Sequence, residues 1–255
     1  MNKKDFINCF KFEDKDALAL LYDKINIAGK VTYPLYTNEF YPPSVCNTLN
    51  NLNMKYNMNI TFLGGFEEAE RNVIAFNHES YYDMPFVILN IKCKSKFHKL
   101  GHRDFLGAII SLGIVREKFG DLIVNDNEAF ITVIREVSQY IIDNITSVSS
   151  APCNVSEVKD YKELPKINFQ DLNTISTSLR VDCVVSAITK ISRGNCEKLL
   201  KEGKVLVNYS EVNEKSKELA LGDTITIRGY GKFKLSSILG STSSGRIKLN
   251  VKKYN

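Results

Sequence analysis

The sequence predicts an α+β protein in three parts: an N-terminal α/β lobe, a βαββαβ central domain, and a C-terminal module of two short helices on a small sheet. Three observations lead there. Residues 86–155 alternate strand-like and helix-like patterns in the order β-α-β-β-α-β, the split ferredoxin-like arrangement. Residues 180–228 run helix, helix, strand, strand, with glycines and asparagines as punctuation. Positive charge gathers in the same stretch: residues 176–255 hold 15 Lys/Arg against 7 Asp/Glu, whereas the remaining residues hold 19 against 22. Such asymmetry points to a polyanionic partner for one end of the chain.

The elements follow in order. Leu18, Leu21, Tyr22 and Ile25 recur at helical spacing behind Asp14 and Asp16, which predicts a helix over 14–28 with acids in its first turn. Pro43 suits a first helical position, and Val45, Leu49 and Leu52 supply the apolar face of a second helix. Residues 60–63 read as a strand ended by Gly64 and Gly65. In the central domain the pattern predicts a strand at 86–91, a helix at 102–112 stopped by Gly113, strands at 122–124 and 129–133, a helix with Val137, Tyr140, Ile141 and Ile145 on one face, and a last strand around Val155. Asn125, Asp126 and Asn127 suit the hairpin turn between the middle strands, because Asn and Asp tolerate left-handed backbone. The expected parts are a lobe at 1–80, the ferredoxin-like domain at 81–158, a polar linker at 159–178 and the basic module at 179–255.

With 255 residues, 44% hydrophobic and 25% charged, the chain has the composition of a folded globular protein. The first ten residues lack an apolar core of signal-peptide length, and no apolar run approaches the roughly 18 residues of a spanning helix, so a cytoplasmic protein is expected. Six cysteines without a CxxC pair suggest reduced, buried thiols in place of disulfides or zinc. No cofactor or metal is expected.

In the basic module, Val181, Val184, Val185, Ile188 and Ile191 share one helical face and leave Arg180 and Lys190 to point outward. Ser192 is an acceptable N-cap for a second helix that buries Cys196, Leu199 and Leu200 and stops at Gly203. Its outer side carries Arg193, Lys198 and Lys201, and Lys204 follows. Val205 and Val207 alternate as a strand, residues 208–210 turn, and Gly222-Asp223 bends into residues 225–228. Arg and Lys fixed on helix ends reach phosphates across a folded RNA, although lysines on a helix commonly do no more than solvate it. The order of motifs decides between these readings. Arg180-x-Asp182, Ser192-Arg193, Gly203-x-Val205-x-Val207-Asn208 and Gly222-Asp223 resemble the alpha-L RNA-binding domain named for small-subunit ribosomal protein S-four. The S-four-type resemblance spans about residues 178–230 and implies RNA contacts for Arg180, Ser192, Arg193, Asn195, Lys198, Lys201, Lys204 and Asn208. Residues 228–233 also match part of an RNA-recognition-motif signature outside its proper domain context; there Arg228, Tyr230 and Lys232 remain candidates, with Tyr230 placed to stack on a base.

Residues 102–107, His-Arg-Asp-Phe-Leu-Gly, allow four readings. A kinase catalytic loop needs an asparagine where Ile109 stands, and a metal site from Cys93, His98 and His102 lacks a fourth ligand. His102 and Asp104 also suit a plain helix start. In the fourth reading His102, Arg103, Arg116 and Lys118, with Lys92, Lys94, Lys96 and Lys99, form an RNA-facing patch on an RRM-like domain. Taken together, residues 64–71 (Gly-Gly-Phe-Glu-Glu-Ala-Glu-Arg), 102–107 and Gly113-x-x-Arg116-Glu117-Lys118-x-Gly120-Asp121 resemble the YlmH family of bacterial RNA-binding proteins over nearly the whole chain. The resemblance implies a non-catalytic protein in ribosome-associated quality control. It would bind structured rRNA and tRNA on large ribosomal subunits obstructed by peptidyl-tRNA, with no membrane, no small-molecule cofactor, and contacts to division proteins as a further expectation. An RNA-modifying enzyme of the pseudouridine synthase or methyltransferase type is the main rival; it is disfavoured because no glycine-rich cofactor loop follows a strand and the RNA module ends the chain. A third reading is a division-associated adaptor that binds protein partners through the mildly acidic N-terminal lobes.

Overall fold

The computed structural model describes residues 1–10, 14–52, 59–79, 84–94, 100–161, 164–166 and 169–254. It divides into two units, Met1–Ile167 and Asn168–Asn255.

The first unit opens with helices α1 (Lys3–Asn8) and α2 (Lys15–Ala28), strand β1 (Leu35–Tyr36), helix α3 (Pro43–Leu52) and strands β2 (Ile60–Leu63) and β3 (Val73–Phe76). Asp14 caps α2 by accepting the Ala17 N–H at 2.9 Å. Leu18, Leu21 and Ile25 of α2 and Val45 and Leu49 of α3 bury against Ile60, Ile74 and Phe76 of an antiparallel sheet ordered β1-β3-β2. All four residues of the central strand β3 are buried. Its four-residue apolar run is too short for any periodicity to mark it in the sequence.

Next come β4 (Phe86–Cys93), α4 (His102–Ile110), β5 (Phe119–Asn125), β6 (Glu128–Ile134), α5 (Arg135–Asn144), and the short β7 (Ser147–Val148) and β8 (Ala151–Glu157), in an antiparallel sheet ordered β5-β6-β4-β8-β7. Asp126 at φ 53° makes the expected turn between β5 and β6. Helix α4 ends two residues sooner than expected, and Gly113 at φ 78° takes the left-handed position of the exit turn. Tyr140, expected on the inner face of α5, is exposed, while Ile141 and Ile145 are buried. Helices α4 and α5 cover one face of the sheet through Phe105, Ile109 and Ile141, which meet Val87, Leu89, Ile91, Ile131 and Val133.

The other face is covered as well. Phe66 packs on Ile88 and Ile123. Gly65 lies so close to the sheet that a Cβ there would sit 2.5 Å from Thr132 Cγ2, and a Cβ on Gly120 would sit 2.2 Å from Thr132 Oγ1 and 2.8 Å from the Phe40 ring. Asp121 holds this cover down, its Oδ2 accepting the backbone N–H groups of Glu70 (2.5 Å) and Arg71 (3.4 Å). Arg71 Nη2 donates to the Phe40 carbonyl at 2.6 Å, and the Phe40 N–H donates to the Glu117 carbonyl at 2.7 Å. The surface on which an RRM-like sheet would stack bases is therefore occupied by this chain's own residues.

The second unit contains β9 (Phe169–Ser176), α6 (Val181–Thr189), α7 (Arg193–Lys201), β10 (Val205–Val207), β11 (Ser210–Glu211), β12 (Thr224–Ile227), β13 (Gly231–Ser241) and β14 (Ile247–Tyr254). Its antiparallel sheet is ordered β11-β10-β12-β13-β14-β9. Residues 169–176, expected to lie in a linker, pair along their whole length with β14. As an edge strand β9 turns only Leu172, Thr174 and Ser176 inward between exposed residues, so its composition reads as a linker. Helices α6 and α7 pack Val181, Val184, Val185, Cys196 and Leu200 on the inward row of Val205, Val207, Ile225, Ile227, Phe233, Leu235, Leu249 and Val251. Cys46, Cys93, Cys183 and Cys196 are buried as expected, but Cys9 is exposed.

The close packing at Gly120 gives a direct test of the covered face. We expect G120A to destabilise the protein by about 1–3 kcal/mol, the usual cost of overpacking, measured by urea denaturation. A variant as stable as the parent would show that Phe40 and Thr132 yield freely.

Candidate nucleic-acid interface

The C-terminal unit is built around a buried carboxylate. Asp182 is 4% exposed in the first turn of α6, and its two oxygens accept from Arg180 Nε and Nη2, each at 3.1 Å; Oδ1 also accepts the Cys183 N–H at 3.0 Å. A bidentate fork fixes the guanidinium in plane and direction. Backbone bonds secure the same corner, with Val181 N–H donating to Lys217 O (2.8 Å) and Leu219 N–H to Leu179 O (2.9 Å). Burial works against the Asp182 charge, but hydrogen bonds from Arg180 and Cys183 and the Arg180 charge outweigh it and hold the carboxyl below its ordinary value. Arg180 was expected to point freely outward. Its side chain instead lies along Asp182 and remains 38% exposed.

Helix α7 begins at Ser192, whose Oγ accepts the Asn195 N–H at 3.3 Å. Arg193 turns back toward α6, donating from Nη2 to Thr177 Oγ1 (2.6 Å) and Cys183 Sγ (3.2 Å). These contacts join the two helices through an arginine that composition alone would assign to solvent. Asn195, Lys198 and Lys201, at three-residue spacing, form the outer stripe of α7 and are exposed, opposite buried Cys196 and Leu200. Gly203 at φ 63° ends the helix, and Lys204 follows, exposed and paired with Glu202 at 2.7 Å. The Arg228 N–H donates to the Lys204 carbonyl at 2.9 Å. That bond brings the exposed turn of Arg228, Gly229 and Tyr230 beside the end of α7. Lys198, Lys201, Lys204 and Arg228 thus line one region, with Tyr230 40% exposed next to them.

The other candidates lie elsewhere. Asn208 is committed to its turn, with Nδ2 donating to Asp223 Oδ1 (2.8 Å) and Oδ1 accepting the Thr224 N–H (2.9 Å). Lys232 lies on the outward face of the sheet, its ammonium 2.8 Å from Tyr209 OH. In the first unit His102 and Arg103 are exposed at the start of α4. Arg116 folds back, donating from Nη1 to the carbonyls of Phe119 (2.5 Å) and Gly120 (3.3 Å) and lying 4.7 Å over the Phe119 ring. Burial, with the Arg71 charge nearby, pushes its pKa down to about 10 against the pull of Asp121 and Glu117. Lys118 donates to Asn38 O at 3.0 Å and faces Glu136 at 3.7 Å. Lys92 and Lys94 are exposed on and beside β4, and Lys96, His98 and Lys99 lie outside the described residues. Neither Arg116 nor Lys118 therefore extends a patch with His102 and Arg103.

The RNA contacts expected from the sequence include none of Phe169, Tyr209 and Tyr254. Tyr209, at φ 66°, follows Asn208, at φ 49°, in the two-residue turn between β10 and β11. A bulky residue at positive φ is uncommon, and this turn is the one local signal that singles Tyr209 out.

Residues 80–162 match a family model described as "Putative RNA-binding domain in YlmH". Over 227 residues, 87% of this chain and 88% of the relative, the sequence is 26% identical to the ribosome-associated protein quality control protein P2 of Bacillus subtilis (strain 168). A solved structure, the cell division protein ylmH from Streptococcus pneumoniae, is 23% identical and superposes with a TM-score of 0.48 over 61% of this chain and 97% of that one. Among the described residues no helix is long and apolar enough to cross a membrane.

The Arg180–Asp182 pair carries a pH signature. The Asp182 carboxyl titrates below its ordinary 3.8 in the folded chain, so the stability it contributes is complete above that value and lost as pH falls through the folded one. We expect R180M to destabilise the protein at neutral pH, because it leaves the buried Asp182 carboxylate without its charged partner. The gap to the parent should shrink in acid below pH 3.8, read by urea titrations across pH. A pH-independent gap would mean that Arg180 acts by packing alone.

Proposed function

We propose that this chain, whose residues 80–162 match the YlmH RNA-binding domain model, is a member of the YlmH family and a cytoplasmic, non-catalytic RNA-binding adaptor of ribosome-associated quality control. Its ligand in this reading is structured RNA, both rRNA and tRNA, on large ribosomal subunits that carry peptidyl-tRNA. The C-terminal unit is read as an S-four-type alpha-L domain and the central β-α-β-β-α-β region as a ferredoxin-like domain. The observation that carries the proposal is the exposed row of Lys198, Lys201, Lys204 and Arg228 on a unit whose residues 176–255 hold 15 Lys/Arg against 7 Asp/Glu.

The division of labour among the basic residues follows from their surroundings. Arg180 and Arg193 are tied to Asp182, Thr177 and Cys183, so they set the angle between α6 and α7 while presenting their remaining donors to phosphate. Lys198 and Lys201 are exposed on rigid helix and supply point charges. Tyr230, beside Arg228, is placed to stack on a nucleotide that leaves the duplex. His102 and Arg103 are further candidate phosphate contacts from the first unit. The names of the curated relative and of the family model, one a quality-control protein and the other an RNA-binding domain, support the same class of function.

Because Arg180 and Arg193 also hold the fold, the informative variant is K198E/K201E. We expect it to keep the parental melting temperature and to stop pelleting with large ribosomal subunits. The slope of log K against log salt should fall by roughly 1.4 to 1.8, the value of two lost phosphate contacts. Unchanged pelleting with an unchanged slope would refute the proposed interface.

A further inference from the structure

The sheet of the C-terminal unit has a second, outward face. Inward residues alternate with outward ones, and register aligns the outward set in rows across the strands. One row runs Leu206, Thr226, Lys232, Tyr254 and Phe169; the next runs Thr224, Lys234, Lys252 and Asp171. None of these outward side chains is buried, whereas the inward row from Val205 to Val251 forms the core beneath α6 and α7. Lys248 and Asn250 extend the face along β14.

Its chemistry is that of neither a core nor a solvated surface. The Lys232 ammonium lies 4.8 Å from the Tyr209 ring centroid and 4.6 Å from that of Tyr254. Tyr254 meets Phe169 edge to face at 4.9 Å, and Lys252 lies 5.2 Å over the Phe169 ring. A continuous ladder of ring and ammonium contacts thus runs from Tyr209 through Lys232, Tyr254 and Phe169 to Lys252. Lys234 and Lys252 stand directly opposite each other, a like-charge pair that costs stability in an antiparallel sheet. Lys232, Lys234, Lys248 and Lys252 share the described outward face with two carboxylates, Asp171 and, across from Leu206, Glu211. The combination suits a polyanion whose bases expose flat apolar faces.

We propose that this outward face is a second RNA site, holding an unpaired stretch of RNA with bases against Tyr209, Tyr254 and Phe169 and phosphates along Lys234, Lys248 and Lys252. The site rests on the reading of this protein as an RNA binder. It differs from the α7 interface in face, in residues and in ligand: helix α7 meets the contour of folded RNA, and the open sheet takes single strand. Base stacking on aromatic side chains and lysine–phosphate contacts together make such binding tolerant of sequence and steep in salt.

The test uses the full chain, fluorescein-labelled oligouridylate of about ten nucleotides, and large ribosomal subunits as the structured ligand. K234E/K248E and, separately, Y254L should each bind oligouridylate about fivefold or more weakly, as expected from losing phosphate contacts or a stacking partner, while melting like the parent. K198E/K201E should leave oligouridylate binding unchanged. A 4-thiouridine oligomer should crosslink to peptides containing Tyr209, Tyr254 or Phe169. Parental binding of oligouridylate by both outward-face variants would overturn the site and leave the ladder as sheet reinforcement. So would absence of binding by the parent chain in low salt. The α7 interface is judged separately, by subunit pelleting of K198E/K201E.

Discussion

Asp182 is the residue on which the C-terminal unit turns. A carboxylate placed among Val181, Cys183, Val184 and Val185 would be costly to bury, and it is kept charged by a two-pronged arginine and a backbone N–H. The cost is offset only in one geometry. That geometry fixes the start of α6, the direction of the Arg180 guanidinium and, through Cys183 and Arg193, the placement of α7. The lysines of α7 keep a fixed position because Arg193 ties the helix that carries them to Thr177 and Cys183.

The central and C-terminal sheets illustrate how the same architecture can be used in opposite ways. The central sheet carries helices on one face, and its other face is closed by Phe66, Gly65 and Phe40 under the control of Asp121. The C-terminal sheet also carries helices on one face, but its other face displays lysines and aromatic rings. An argument from strand order alone would assign base stacking to the central sheet. Packing moves the available surface to the C-terminal one.

The residues that carry the family resemblance explain why motif and function need not coincide. Gly64, Gly65, Glu70 and Arg71 come from one segment and Arg116, Gly120 and Asp121 from another; the structure joins them in a single latch. Arg116 reads as a phosphate contact in the sequence because arginine near lysine and histidine usually stays in water. Here its donors are spent on the carbonyls of Phe119 and Gly120. Asn208 likewise reads as part of an RNA motif, yet its amide closes the turn against Asp223 and Thr224.

Local pattern was enough for most elements: the helical spacing of Leu18, Leu21 and Ile25, the Ser192 cap, the Gly203 stop and the Asp126 turn each follow from residues within one or two turns of chain. The concentration of cations beyond residue 176 was equally visible, because charge is a property of composition. Strand β9 was not, since a polar edge strand gains its structure from a partner more than seventy residues later, as the pairing of Ser176 with Ile247 shows. The fates of Arg193 and Lys232 were hidden for a related reason. Whether a cation serves a ligand or the fold depends on which carbonyls, thiols and rings the completed chain brings within about 3 to 5 Å of it. For Arg193 and Lys232 those neighbours, Cys183 and Tyr209, lie ten or more residues away, and for Arg116 they are carbonyls three and four residues on that only the local fold-back of the chain presents.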